Sequence, residues 1–303
     1  MSAKRRRRPE NVAGELFVDD SCIDCDTCRW MAPASFDREA GKSRVHTQPD
    51  EPEQLLAALR ALVSCPTGSI RSEGKLEQLP EAMAGLPAPV DGPVLHCGWH
   101  AEASFGAASW LILRESGNVL VDSPRFAAPL VERIEALGGV HTMVLTHKDD
   151  VADHARFAER FGARRILHAG DMGPGLAEVE VLLEGSDEVQ LAPGLTIIPT
   201  PGHTAGSLCL AVDRTWLFTG DHLAWSERRG ALTAFPEHCW HDWELQRASV
   251  ERLMAQRFSW VLPGHGRMVQ LPPAEMALAL ADCVAWMASV KPAGHAPTAE
   301  PGG

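Results

Sequence analysis

Thr146-His147-Lys148-Asp149-Asp150-Val151-Ala152-Asp153-His154 follows directly on the strand-like run Val140 to Leu145, and this junction decides the fold. A buried strand that empties into a loop of histidine and aspartate puts ligand-type side chains at its C-terminal end, where α/β folds place their chemistry. His147 falls on that loop. Asp153 and His154 open a helical segment, because Val151, Ala155, Ala158 and Phe161 recur at helical spacing up to Gly162. Arg165 to Leu167 then starts a further strand, which completes a βαβ rhythm. Upstream, Trp110 to Leu113 and Val119 to Val121 flank the turn Ser116-Gly117-Asn118, and Phe126 to Leu137 reads as a helix stopped by Gly138-Gly139.

Downstream the same arrangement recurs. Strand-like Leu195 to Ile198 leads to Thr200-Pro201-Gly202-His203-Thr204-Ala205-Gly206-Ser207. Trp216 to Phe218 leads to Thr219-Gly220-Asp221, and Trp260 to Leu262 leads to Pro263-Gly264-His265-Gly266. Strand-like Leu208 to Val212 and helical Trp243 to Ala255 and Ala274 to Val290 complete the region. Singly, each polar residue has an ordinary explanation as a loop residue, a helix cap (Asp150) or a hydrogen-bonded histidine.

Jointly, these turns and their order resemble the metallo-β-lactamase superfamily over about Val94 to Val290. The resemblance implies an α/β fold, an αββα sandwich. The family pattern H-x-H-x-D-H carries its first histidine to His147 and its Asp-His pair to Asp153 and His154. Its second histidine has no counterpart: Asp149 holds that spacing, two extra residues precede Asp153, and either Asp149 or Asp150 takes the role. The resemblance then implies one metal on His147, Asp149 and His203, a second on Asp153, His154 and His265, and Asp221 as the bridge. Imidazoles with carboxylates suit zinc, iron or manganese, and the acidic replacement shifts preference toward iron or manganese. Two such ions activate a shared water and polarise a carbonyl or phosphoryl oxygen. Asp153 is the candidate catalytic residue, orienting the nucleophile or moving its proton.

The N-terminal region carries different chemistry. Cys22, Cys25 and Cys28 are spaced C-x2-C-x2-C, and Cys65 is followed by Pro66. Three cysteines on one loop with a remote Cys-Pro suit a cubane cluster. A four-cysteine zinc site is the alternative, less well matched by three plus one. The segment resembles single-cluster ferredoxins: where two-cluster relatives have a further Cys-Pro, Ala32-Pro33 stands, which implies one [4Fe-4S] cluster. The expected organisation is a basic disordered tail (1–13), a small α+β ferredoxin-like domain (14–79), a Pro-rich linker (80–93), the metallo-β-lactamase-fold domain (94–290) and a frayed tail (291–303).

The chain has 303 residues, with 28 Lys and Arg against 40 Asp and Glu. Lys4 to Arg8 supply five of the positives, so the body is strongly acidic and nucleic acid is disfavoured as a partner. No run of about 18 apolar residues predicts a membrane span, and Pro9-Glu10-Asn11 after the basic run is no secretory apolar region. With thiolates required, the expectation is a cytoplasmic protein. Of the remaining histidines, His96 and His100 open the second domain and are assigned a structural or substrate-shell role. The segments Ser104 to Ala107 and Cys239-Trp240 resemble those of other ferredoxin fusions to this fold. Cys97, Cys209, Cys239 and Cys283 read as buried thiols, and His168 and His222 as neighbours of the site or surface residues. The function expected is metal-dependent hydrolysis of an ester, thioester, lactone or phosphodiester in a small-molecule substrate. The alternative is an oxidoreductase whose di-iron centre takes electrons from the cluster, and an electron-transfer partner suits either.

Overall fold

The structure, a computed structural model, describes residues 5–290. They fall into two compact units. One holds the residues up to Leu145 together with Asp149–Arg165; the other holds Thr146–Lys148 and the residues from Ile166 onward.

In the first unit, strand Leu16–Val18 pairs antiparallel with Ile70–Ser72, and hairpin Phe36–Glu39/Lys42–Val45 turns through Ala40-Gly41, both at positive φ. Helix Pro52–Ser64 starts with proline in its first turn, where no backbone N–H is needed. Its Ala58 and Ala61 pack with Leu16, Val18, Phe36, Val45 and Ile70 into a small core that includes Cys22, Cys28 and Cys65.

Two expectations need correction here. The stretch 80–93 is not a linker: helix Leu79–Ala84 and strand Ala88–Asp91 occupy it. Pro80 sits in the first turn of that helix and Pro89 on an edge strand, the two places where secondary structure tolerates proline. Nor is the basic run a loose tail from Arg5 onward. Arg5 bonds the Thr67 carbonyl at 3.0 Å, Arg7 pairs with Glu73 at 3.2 Å, and the Arg8 amide bonds Val18 at 3.1 Å. Guanidinium groups beside an acidic body find carboxylates and carbonyls, and the segment is strapped down. The frayed tail 291–303 lies outside the described residues.

Strand Ala88–Asp91 begins a sheet that continues antiparallel through Val94–His96, Trp110–Ile112 and Val119–Val121, then parallel to Thr142–Val144. Helix Ala128–Ala136 connects the last two strands and buries Leu130, Val131 and Ile134. Helix His154–Phe161 starts after a turn at Ala152-Asp153, later than its apolar spacing suggested.

The second unit centres on a sheet ordered Val189–Ala192, Leu195–Pro199, Leu208–Val212, Trp216–Gly220, Trp260–Pro263, Val269–Gln270. Only the pairing of Trp216–Gly220 with Trp260–Pro263 is parallel. Helices Trp243–Leu253 and Pro273–Ser289 bury Trp243, Val250, Leu253, Met276, Leu280 and Met287 against Ile198, Cys209, Leu217 and Val261. All eight cysteines are free thiols in the structure. Among the described residues no helix is long and apolar enough to cross a membrane.

Candidate functional site

Two antiparallel pairings and one parallel pairing make Leu195–Pro199, Trp216–Gly220 and Trp260–Pro263 run toward the same sheet edge. His203, Asp221 and His265 follow their ends. Thr146, which precedes His147, accepts the Leu208 amide at 2.9 Å and so ties that loop to the same edge. Two glycines permit the approach. At Gly202 (φ +147°) a Cβ would fall on the backbone of Gln246, and at Gly220 (φ +49°) on the Thr146 side chain.

The result is a convergence on one carboxylate oxygen. Asp221 Oδ2 lies 3.7 Å from His147 Nε2, 3.7 Å from His203 Nε2 and 3.9 Å from His265 Nε2. These separations are too long for hydrogen bonds. They are close to the spacing of about 3.4 Å between donors that share a tetrahedral ion at about 2.1 Å. The His147 and His203 rings stand edge to face, 4.8 Å apart. Asp221 Oδ1 is buried and has no hydrogen-bond partner among the described residues, an expensive state for a carboxylate unless a cation meets it. Burial raises the pKa of Asp221, but His265, His147 and His203 more than offset this and hold it below the usual carboxylate range. Burial, then His147, pushes His203 down to about 4, so its imidazole is neutral, the form that binds metal. The donor set fits a divalent ion.

The sequence reading missed Asp171. Its side chain is buried and accepts bonds from the Lys148 amide (3.0 Å), the Thr204 hydroxyl (2.6 Å) and the Gly206 amide (2.8 Å). One carboxylate therefore links the residue after His147 to the turn that carries His203. The short 3-10 turn Ala169–Asp171 has no periodicity to betray it. The Cys239-Trp240 segment clamps the same turn, with Cys239 Sγ donating to the Gly202 carbonyl at 3.2 Å and the Trp240 amide to His203 at 2.8 Å. His222 is buried, not a surface residue.

The other expected ligands lie in the first unit. Asp149 is exposed and Asp150 buried. Asp153 Oδ2 accepts the Phe126 amide at 2.8 Å and its Oδ1 faces Arg156 at 3.5 Å, while His154 Nδ1 lies 3.3 Å from the Arg165 guanidinium. The structure thus gives Asp153 and His154 protein partners of their own.

The four predicted cysteines gather at the N-terminal site. Cys22, Cys25, Cys28 and Cys65 line one hollow with Val18, Thr27 and other side chains. Their loop passes through Asp24 and Asp26, both in the left-handed region, where aspartate is among the better tolerated residues. Arg29 pins it, bonding Asp24 at 2.6 Å and Ser43 at 2.7 Å and pairing with Asp26. The Ser69 amide donates to Cys65 Sγ at 3.3 Å, and the Thr27 hydroxyl lies 3.3 Å from Cys25 Sγ. Burial pushes the Cys25 thiol up to about 11, so a bound metal is what would hold it as thiolate. Four sulfurs around a hollow suit a cluster better than a closed single-ion zinc site.

Residues 96–274, more than half of the chain, match the metallo-beta-lactamase superfamily. The chain belongs to that superfamily. Residues 18–72 match the 4Fe-4S single cluster domain of Ferredoxin I. This metallo-β-lactamase-superfamily chain is 34% identical over 120 residues to a hydroxyacylglutathione hydrolase of Acidiphilium cryptum, covering 38% of this chain and 46% of that protein. It is 37% identical over 98 residues to the hydroxyacylglutathione hydrolase of Anaeromyxobacter dehalogenans, covering 31% of this chain and 37% of that protein. The chain thus spans less than half the length of these curated relatives. Among solved structures it is similar to an archaeal metallo-beta-lactamase superfamily protein from Sulfolobus tokodaii, at 18% identity and a TM-score of 0.48, covering 71% of this chain and 92% of that one. The expected fold class stands: a mixed α/β metallo-β-lactamase fold after a small ferredoxin-like domain. The superfamily fold implies divalent metal and the N-terminal domain an iron-sulfur cluster.

Proposed function

We propose that the chain is a metal-dependent hydrolase of an acyl ester or thioester. The observation that carries this reading is the convergence of His147, His203 and His265 on Asp221 Oδ2. The matched relatives are named as hydrolases of hydroxyacylglutathione, which favours an acyl substrate over a phosphodiester. His147, His203, Asp221 and His265 would hold the metal. Asp149 or Asp150, which follow His147 in the chain, would supply the acidic ligand where hydrolases of the family have a second histidine. Divalent ions there supply Lewis acidity toward a carbonyl oxygen and lower the pKa of water. Asp171 holds the turns that bear two of the imidazoles.

The binuclear form adds Asp153 and His154, with His265, as ligands of a second ion. Metal analysis tests this. The unaltered protein should carry two ions per chain besides cluster iron, and His154→Ala only one. Asp221→Ala should abolish hydrolysis of acyl thioesters; turnover that persists would overturn the reading. Iron at this centre would instead support the oxidoreductase alternative, for which the aspartate at 149 is the favouring residue.

A further inference from the structure

His96 and His100 belong to the metallo-β-lactamase segment, yet within the first unit they meet the cysteine loop. His96 Nε2 lies 2.8 Å from His100 Nε2, and His100 Nδ1 lies 2.6 Å from the Gly106 carbonyl and 3.1 Å from Thr27 Oγ1. Thr27 Oγ1 is in turn 3.3 Å from Cys25 Sγ. All of these side chains except Cys25 are almost fully buried. Gly106, at φ +86°, permits the contact, since a Cβ there would come within 2.9 Å of Cys25 Cβ and 3.1 Å of its sulfur.

The carbonyl fixes the direction of the bond that His100 makes. A carbonyl oxygen only accepts, so His100 Nδ1 carries the proton that makes the 2.6 Å bond. Thr27 Oγ1, next to the same N–H, then accepts from it and keeps its own proton to donate. Two acceptors are in reach, Cys25 Sγ at 3.3 Å and the Gly106 oxygen at 3.5 Å, and a cluster-bound Cys25 offers the closer and negatively charged one. One hydrogen spans the 2.8 Å between His96 Nε2 and His100 Nε2 and holds the His100 ring in place. Burial and the neighbouring His100 keep His96 well below its ordinary pKa, hence neutral. Trp30 and Trp110 hold the His96 ring at 4.9 and 5.3 Å between centroids.

We infer that His100, held in place by His96, and Thr27 form a donor relay from the metallo-β-lactamase segment to Cys25, which raises the reduction potential of the cluster that Cys25 ligates. One-electron reduction adds negative charge to the cluster and its thiolates, and donors aimed at a sulfur stabilise that charge without transferring a proton. The relay makes the potential a property of both folds. It holds whether the second centre hydrolyses or oxidises its substrate.

The test is a redox titration of the full chain followed by electron paramagnetic resonance. Thr27→Val, which keeps shape and removes the donor, should lower the ratio of reduced to oxidised cluster at a given potential roughly tenfold, equivalent to about 59 mV for a one-electron couple. Thr27→Ser should stay near the unaltered protein. His96→Phe keeps a ring between the tryptophans, leaves the cysteine loop alone and should shift the midpoint the same way by less. An unchanged midpoint in Thr27→Val, or a Thr27→Ser midpoint as low as that of the valine variant, overturns the relay. If the valine variant fails to assemble a cluster, His96→Phe decides, an unchanged or raised midpoint counting against the proposal. On the unaltered protein, double resonance of the reduced cluster after transfer to D2O should show a strongly coupled deuteron within minutes, before the buried Ser69 amide exchanges. Its absence would also overturn the relay.

Discussion

Asp171 shows how much of a metal centre rests on a residue that touches no metal. Its two oxygens accept three bonds, and removing them in Asp171→Ala takes the acceptor from the Lys148 amide and leaves the buried Gly206 amide unsatisfied, at about 1–3 kcal/mol for the latter. Outer partners of this kind are worth roughly 10–100-fold in metal affinity. Asp171→Ala should therefore weaken metal binding by that factor in competition with a chromophoric chelator. Asp171→Asn, which turns an amide donor toward one of those N–H groups, should recover only part of it. His222 makes a second prediction. Burial, with a contribution from His203, pushes it from the ordinary 6.5 down to about 3. Below pH 6.5 the unfolded chain takes up a proton that the folded chain refuses, so stability falls as pH drops from about 6.5 toward 3, and above 6.5 the group has no effect. In urea titrations of metal-free protein, His222→Leu should flatten that acid limb.

At the level of the element, strand ends do the positioning, and they were legible because a strand that stops in Gly, Pro, His and Asp announces itself. Leu195–Pro199, Trp216–Gly220 and Trp260–Pro263 all lay on or beside such runs, and the His203, Asp221 and His265 that follow their ends were singled out from those runs. The spacing C-x2-C-x2-C with Cys65-Pro66 likewise named a site whose sulfurs line one hollow. What stayed hidden was tertiary. Proline count suggested a linker where a helix start and an edge strand are built, and nothing around Asp171 or between Thr27 and His100 is periodic or adjacent in sequence. The contact of His100 with Thr27 of the cysteine loop was hidden for the same reason. Gly202 carries the element-scale prediction. A methyl group there meets the backbone of helix Trp243–Leu253 and forces an unfavourable φ, and overpacking with backbone strain of this kind costs about 3 kcal/mol or more. Gly202→Ala should lower the thermal midpoint and loosen the His203 turn, seen as loss of metal at the second centre while cluster absorbance persists.

For the whole molecule, the two folds implied by the sequence do not coincide with the two units of the structure. The cysteine domain and the first strands of the metallo-β-lactamase fold form a single unit, and the chain crosses to the other at Thr146, Asp149 and Ile166. The seam is built at the level of atoms: Leu86 is fully buried, a Cβ on Gly98 would meet Leu86 at 2.7 Å and Ser64 at 3.0 Å, and Arg125 bonds the Val63 carbonyl at 3.2 Å. A chain beginning at Pro89 would lose Val63, Ser64 and Leu86 and expose the apolar surface they cover. It should fail to fold as an independent domain. The gentler test is Cys65→Ser in the full chain, which removes one cluster ligand without touching the seam. Because cluster loop and sheet pack into one compact unit, loss of the cluster should raise amide exchange in Trp110–Ile112 and Val119–Val121, strands that carry no cysteine. Exchange confined to residues before Leu79 would show that the ferredoxin-like domain opens alone, and the unit drawn from packing would then not be a unit of stability.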